Sequence, residues 1–538
     1  MTPVVAQLSE SIIDLSKSLD PISEVRNDGL SQHEEALDQL VRLLALLLAK
    51  IPSTRVPSSD APALVESISI LISQARPKSF RLSNSRLIAV VMTRSSETMK
   101  SEIIESPRAV SIGESLWSLY CDLSGQQPMD PHVTTQNTGI YVNQKRVAFV
   151  LSSLVAESPR VSSHLVSDQL QAVQQLVRMI KMCFTAIRMT GGFGAKTAVN
   201  KLSGSNEHFA LDLSNSVHLH LVVLSAFLAS SPKAQDIARQ EKIPALMSEN
   251  WNTMRTAYSR SCQILTGAIR LLRNYVHENE SNKGSLVTSG GSSTPSASST
   301  DNDLLSLLGD LAVSALGGDL ISTTNNPSWC SEASRVLKAA LLHSECLHGA
   351  IKTNLVTRFF TRVVEVCKRQ RQTSRALQPQ QADGLVQLFG VLASVATSDE
   401  GRQVILPLRE LRNLMDDILH FEDGSRLLVA GALFLRNMAF SKFSKTHFAV
   451  WEPVLSEILA MLCRLVRIRG TGTSATNQLL TADHMSTALV CLVIDNQRAQ
   501  SILQASRDAM TLLRESIQGW KQLVQTTSDK EQALLADS

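Results

Sequence analysis

Between residues 384 and 513 the chain says nearly the same thing three times: GLVQLFGVLASVATSDEGRQVIL from Gly384, AGALFLRNMAFSKFSKTHFAVWEPVL from Ala430, and STALVCLVIDNQRAQSILQ from Ser486. Each copy is a nearly all-apolar run, a polar turn of four to six residues, and a second apolar run. A helix that is apolar on every side has no solvent face and must be sandwiched between neighbours. Such units are unstable alone and bury one another by stacking. The pattern predicts an all-α protein, a helical-repeat solenoid with flexible inserts between repeats.

The middle copy specifies a helix in detail. Trp451, Val454, Leu455, Ile458, Leu459 and Leu462 form one i, i+3, i+4, i+7 stripe. Pro453 is expected in the first turn, where a missing N–H costs nothing. Glu452 and Glu457 lie toward the start, where negative charge is favoured. Arg464, Arg467 and Arg469 follow at the other end, and Gly470 is expected to stop the helix.

Composition narrows the function classes. The chain of 538 residues is long enough for several domains or for one repeat array. Apolar residues make up 43% but aromatics only 4%, and no run alternates with the period of a strand, which favours helices over a mixed fold. A net charge of +3 predicts no strong attraction to nucleic acid or membranes. The 8 cysteines are scattered singly, several within helical runs (Cys183, Cys262, Cys463, Cys491), which suits a reducing compartment. The N-terminus has no secretory pattern. The most apolar stretches, 40–51 and 219–229, fall short of the about 20 residues that span a bilayer. An intracellular, cytoplasmic protein without membrane insertion is expected.

Residues 1–123 read as an N-terminal helical region, with helices at 10–19, 33–51, 61–75, 84–93 and 109–120. A linker is expected at 124–139, about seven repeats over 140–524, and a polar tail at 525–538. The repeats register on the turn after each apolar run: LVAESPRV (154–161) aligns with FLASSPKA (227–234), and LLRNYVHEN (271–279) with KAALLHSEC (338–346). Equivalent residues are Ala156, Ala229, Val276, Leu342, Ala396, Ala439 and Ile494, spaced by 73, 47, 66, 54, 43 and 55 residues. The spacings 47 and 43 match the armadillo and HEAT period, so an armadillo/HEAT-like helical-repeat solenoid, a right-handed superhelix, is expected. The longer ones contain low-complexity inserts at 189–207, 284–303, 371–383 and 469–478, of which 284–303, rich in Ser, Gly and Thr, is expected to be a mobile loop.

Leu-Arg-Asn recurs at 272–274, 411–413 and 435–437. Arg273, Asn274, Arg412, Asn413, Arg436 and Asn437 are therefore the candidate repeat-junction or partner-contact residues. A polar pair closing a buried helix can satisfy the last carbonyls and tie down the turn, and it can also grip a partner's backbone. Asn437 in particular is expected to donate to its own helix end and to accept from the turn at 441–444.

Catalytic readings are weaker. GGFGAKT (191–197) resembles a phosphate loop, but Thr190 and Ala195 stand where glycines are needed. His343, Cys346 and His348 do not share one helix face, and no fourth ligand is evident. His218 and His220, two apart, read as a polar helix start. KRQRQTSR (368–375) lacks aromatics to stack on bases and reads as a solvated loop. No carboxylate pair, Ser/His/Asp set or Cys/His set stands out. The expectation is a non-enzymatic protein with no catalytic residues, cofactor or metal, binding protein partners on the solenoid surface.

The stretch GALFLRNMAFSKFSKTHFAVWEPVLSEILAML followed by MSTALVCLVIDNQRAQSIL resembles the C-terminal armadillo-like region of the rotatin family, over roughly 385–515. That family shows a leucine-rich helix ending in Leu-Arg-Asn, then a turn with a basic and aromatic pair. Its final repeat carries a small-Ala-Leu run closing on Asn, matched in outline by Ala488, Leu489, Asn496 and Ala499. The resemblance implies an armadillo scaffold of the centriole or ciliary basal body, associated with the cytoskeleton. The ataxin-ten family, also helical-repeat and rich in Leu-Arg-Asn, is similar too and implies a soluble cytoplasmic or nuclear adapter.

Overall fold

The computed structural model describes residues 97–125, 138–189, 203–258, 263–288, 304–314, 328–373, 377, 379–467 and 473–505, with short pieces and isolated residues before 93 and after 505. Among them there are helices and turns and no strand. Two compact units form, Met1–Asn282 and Lys283–Ser538. The helices on either side of the linker expected at 124–139 pack on each other within the first unit.

The first unit contains α1 (Glu97–Glu105), α2 (Ala109–Gly125), α3 (Thr138–Glu157), α4 (Pro159–Leu165), α5 (Ala172–Met189), α6 (Ser203–Ser230), α7 (Pro232–Gln240), α8 (Ile243–Glu249), α9 (Trp251–Tyr258) and α10 (Ile264–Val276). Helix α11 (Glu280–Thr288) carries the boundary. The second unit continues with α12 (Leu304–Ser314), α13 (Ser328–Ala340), α14 (Ser344–Lys352), α15 (Leu355–Thr373), α16 (Pro379–Val395), α17 (Asp399–Ile405) and α18 (Leu411–Leu419). It closes with α19 (Arg426–Ala439), α20 (Lys442–Thr446), α21 (Phe448–Arg467), α22 (Thr473–Val493) and α23 (Gln497–Ala505).

The repeat is a short helix, a second helix (broken into α8 and α9 in one copy) and a third, ladder helix. The ladder runs α3, α6, α10 in the first unit and α13, α16, α19, α22 in the second, each helix packed on the next. This explains the all-round apolar runs, since a ladder helix has neighbours on both sides. Helix α6 is the extreme case. Its segment Phe209–Ser230 reaches the length and hydropathy of a membrane span, longer than the stretch at 219–229 suggested. It is two-thirds buried inside the unit, against α3, α5 and α10.

The stripe of α21 is as expected: Trp451, Val454, Leu455, Ile458, Leu459 and Leu462 are all buried. Its start differs. The chain re-enters a helix at Phe448, directly after α20, so Pro453 lies inside the helix and not in its first turn. There it cannot donate to the preceding turn, a local weak point held by Trp451 and Val454 in the core.

Helices also claim the edges of the expected inserts. Residues 203–207, 284–288, 371–373, 379–383 and 473–478 are helical. The ladder and middle helices, and the short helix α11, run further than apolar content indicated, since a polar turn of helix costs little once a packed helix is nucleated. The remainders of the inserts, most of the linker and the tail at 525–538 lie outside the described residues.

Candidate functional site

The turn that closes each ladder helix is the recurrent structural element. The residue directly before the following short helix is Ser158, Ser231, Asn279, His343, Ser398, Ser441 or Asn496. Each lies one to three residues beyond the equivalent positions read from the sequence. Side-chain oxygens cap the short helix at several of them. Ser231 accepts from Ala234 N at 3.2 Å, Ser398 from Gly401 N at 3.0 Å, and Ser441 from Phe443 N at 3.1 Å. Asn279 and Asn496 accept from Asn282 N at 3.0 Å and Ala499 N at 3.2 Å. The cap both satisfies orphan donors and fixes the bend. Glycine at 401 is required by the close approach of the turn, because a Cβ there would clash with the Val395 carbonyl.

Four residues after the cap, a polar side chain turns back onto the ladder. Gln235 Nε2 donates to Leu228 O (3.1 Å), and to Asn274 O (2.9 Å) and His277 O (3.2 Å) of the next ladder helix. Arg402 Nη1 donates to Ala396 O (2.6 Å), Thr397 O (3.2 Å) and Asn437 O (3.2 Å), again reaching the next ladder helix, while Nη2 meets Asp399 Oδ1 at 2.8 Å. That hydrogen bond, with another from Ser441, holds the Asp399 carboxyl below its usual range. Lys445 Nζ makes the corresponding donation to Ile494 O, and Gln500 Nε2 reaches Val493 O at 3.1 Å. Sequence reading missed all four. The available signal was a polar residue recurring four positions after the turn.

The Leu-Arg-Asn residues divide accordingly. Asn274 Nδ2 donates to Ser225 O (3.0 Å) and Ser225 Oγ (2.9 Å), and Asn437 Nδ2 donates to Ala393 O (2.8 Å). Both side chains therefore tie one ladder helix to the preceding one. Asn437 does not serve its own helix end as expected, since Ser444 Oγ satisfies Met438 O and Arg402 satisfies Asn437 O. Arg273 Nε lies 3.4 Å from Asn274 Oδ1. Arg436 Nη1 reaches His484 Nδ1 at 3.3 Å and Asp483 Oδ2 at 3.7 Å on α22. Arg412 and Asn413 are different: they begin α18, exposed, and close no ladder helix. Their motif lies in a middle helix, where the same three letters carry another phase.

A groove of about 430 Å³ opens on the ladder of the second unit. Small residues Gly390, Ala393 and Ala430 deepen it, and Val386, Val429 and Leu433 line it. Lys338, Arg426, Asn437 and Asn477 supply its polar groups. A second cleft in this unit, lined by Lys368, Arg371, Arg409, Glu410 and Asn413, is more polar, so 368–373 is the basic end of α15 and not a loop.

The remaining candidates disperse. GGFGAKT lies outside the described residues. The Cys346 thiol donates to Lys283 O at 3.0 Å, His343 precedes α14, and exposed His348 faces Glu400 Oε1 at 3.1 Å, so these three side chains do not converge. His218 and His220 are not at a helix start but in the middle of α6. His220 Nδ1 lies 2.6 Å from buried Tyr120 Oη, and burial lowers its pKa to about 3. Burial likewise lowers His218 to about 4.

No family model and no curated protein matches the chain. Among solved structures, SYS-1 is similar over 94% of this chain and 81% of its own, at 13% identity and a TM-score of 0.50. Importin beta aligns over 96% of this chain and 64% of its own, at 11% identity and a TM-score of 0.43. The likeness to SYS-1 concerns the fold alone, and with the three-helix register above it identifies the chain as an armadillo/HEAT-like helical-repeat protein.

Proposed function

We propose that this protein is a non-enzymatic scaffold that binds protein partners along the ladder helices of its second unit. The observation that carries the reading is the groove of about 430 Å³ on α13, α16, α19 and α22. It combines aliphatic walls with a few polar groups, the composition of a recognition surface. Asn437 and Asn477 add to it. Each uses its amide nitrogen on a backbone carbonyl of the chain itself (Ala393 O and Gly424 O, the latter at 2.9 Å), which fixes the side chain and leaves the oxygen as an acceptor.

The sequence likeness over roughly 385–515 supports a place for this scaffold in the rotatin family, at the centriole or ciliary basal body. The experiment is proximity labelling with the tagged full chain, repeated with Leu433→Glu. The expected result is a set of centriolar partners lost from the variant while circular dichroism is unchanged. A diffuse cytoplasmic or nuclear set would favour the ataxin-ten-like adapter, and a set indifferent to Leu433→Glu would overturn the groove as the binding surface.

A further inference from the structure

Lys338 lies across the groove with its charge unanswered. Its side chain is half-buried, and its Nζ donates to Gln387 Oε1 at 3.0 Å; no carboxylate pairs with it among the described residues. Burial, then Arg335 and Arg426, lower its pKa from the ordinary lysine value. Glu332, on the same helix, lies 3.5 Å from Arg335, and Asp383 lies 3.6 Å from Arg426, the other cation of the groove, in an exposed pair. The position is built. Gly390 makes room for the lysine, since a Cβ there would sit 2.8 Å from Lys338 Cδ and 3.3 Å from Nζ. A partly desolvated ammonium without a counter-charge is costly, and an arriving carboxylate would offset that cost.

We infer that the groove takes an extended acidic segment of a partner protein, with a carboxylate on Lys338 and an aliphatic side chain between Val386, Val429 and Leu433. This rests on the scaffold reading above and adds the class of partner. A single buried-edge ammonium suits one carboxylate, and no aromatic side chain lines the groove to stack on bases, which disfavours nucleic acid. The Asn437 and Asn477 side-chain oxygens, which accept no hydrogen bond among the described residues, suit the N–H groups of an extended backbone.

The test uses the full chain and short fluorescein-labelled peptides of alternating Asp and Val, with Asn/Val and Lys/Val peptides as controls, read by fluorescence polarisation. Asp/Val should bind, Asn/Val should bind about tenfold more weakly, and added salt should weaken only the former. Lys338→Met should lose about tenfold, and Lys338→Glu more, with a turn toward Lys/Val. Gly390→Ala, which displaces the lysine without removing it, should fall between wild type and Lys338→Met, with helical content unchanged. Equal binding of Asp/Val and Asn/Val, or an unaffected Lys338→Glu, overturns the inference. If Asp/Val fails while partners captured by proximity labelling still depend on Leu433, the acidic class is wrong and the scaffold reading stands.

Discussion

The turn after α6 and the turn after α16 do one job with different chemistry. In the first unit Gln235, a neutral amide, donates to three carbonyls and accepts from Asn279 Nδ2 at 3.0 Å. In the second, Arg402 donates to three carbonyls but cannot accept, and its charge is matched by Asp399. Both residues are 7% exposed. What the fold requires at this position is reach and donors. Whether a charge comes with them is open, and it decides how each turn responds to mutation.

The sharpest way to break the parallel is Arg402→Ala. Three carbonyls at a buried turn lose their donor, and at about 1–3 kcal/mol for a buried unpaired group the loss should reach about 3–4 kcal/mol. Gln235→Ala should cost about 2–3 kcal/mol, because the bonds it loses join neutral groups, whereas those of Arg402 are charge-assisted. Urea unfolding measures both, and a costlier Gln235→Ala would reverse the comparison.

Acid should separate the units next. His218 and His220 are held neutral by burial in the first unit, at about 4 and about 3. Their folded pKa values lie below the unfolded value, so the stability they confer is present above about pH 6.5 and is lost as pH falls through the window down to those values. At pH 5.5 the pair should cost about 3 kcal/mol. In the second unit, burial raises Asp417 to about 6 despite Arg371 at 2.7 Å. That sign is opposite, since the folded state takes up the proton first and gains stability as pH falls from about 6 toward the ordinary carboxylate range. Hydrogen exchange at pH 5.5 should therefore accelerate in the first unit more than in the second, and equal acceleration would contradict the assignment.

Smaller effects belong to the asparagines. Asn274→Ala and Asn437→Ala should each cost about 1–3 kcal/mol, with Asn274 the costlier because it makes two bonds to Ser225 where Asn437 makes one to Ala393. Exchange in the Asn437 variant should rise together across 446–505 as the following repeat loosens.

The smallest effect concerns the turns capped by asparagine. Glu278 and Asp495 precede Asn279 and Asn496 with φ of 52° and 54°, a left-handed conformation absent before the serine caps. Replacing either by Gly should stabilise by about 0.5–1 kcal/mol, read as a rise in melting temperature.

The turns that close the ladder helices were legible because six of the seven place Ser or Asn after an apolar run, and helix caps are chosen locally. The stripe from Trp451 was legible for the same reason, being fixed by periodicity within one helix. Asn274 and Asn437 were found, but their partners Ser225 and Ala393 lie 49 and 44 residues away, so the direction of their bonds was not. Arg412 and Asn413 misled because three letters do not reveal which helix of the repeat they occupy. Lys338 was invisible, as its place in the groove depends on Gly390 in the next ladder helix. Sequence separates surface lysines from core leucines; it does not separate a surface lysine from one lying in a groove.

The buried thiols offer a way to time the opening of each unit. Cys183 on α5 and Cys367 on α15 are both pushed up to about 12 by burial. At about pH 8 an alkylating reagent meets almost no thiolate in the closed chain, so each cysteine reacts at the pace at which its own repeat breathes. Each unit thus carries a stopwatch of its own, built in and read by mass spectrometry of the modified peptides.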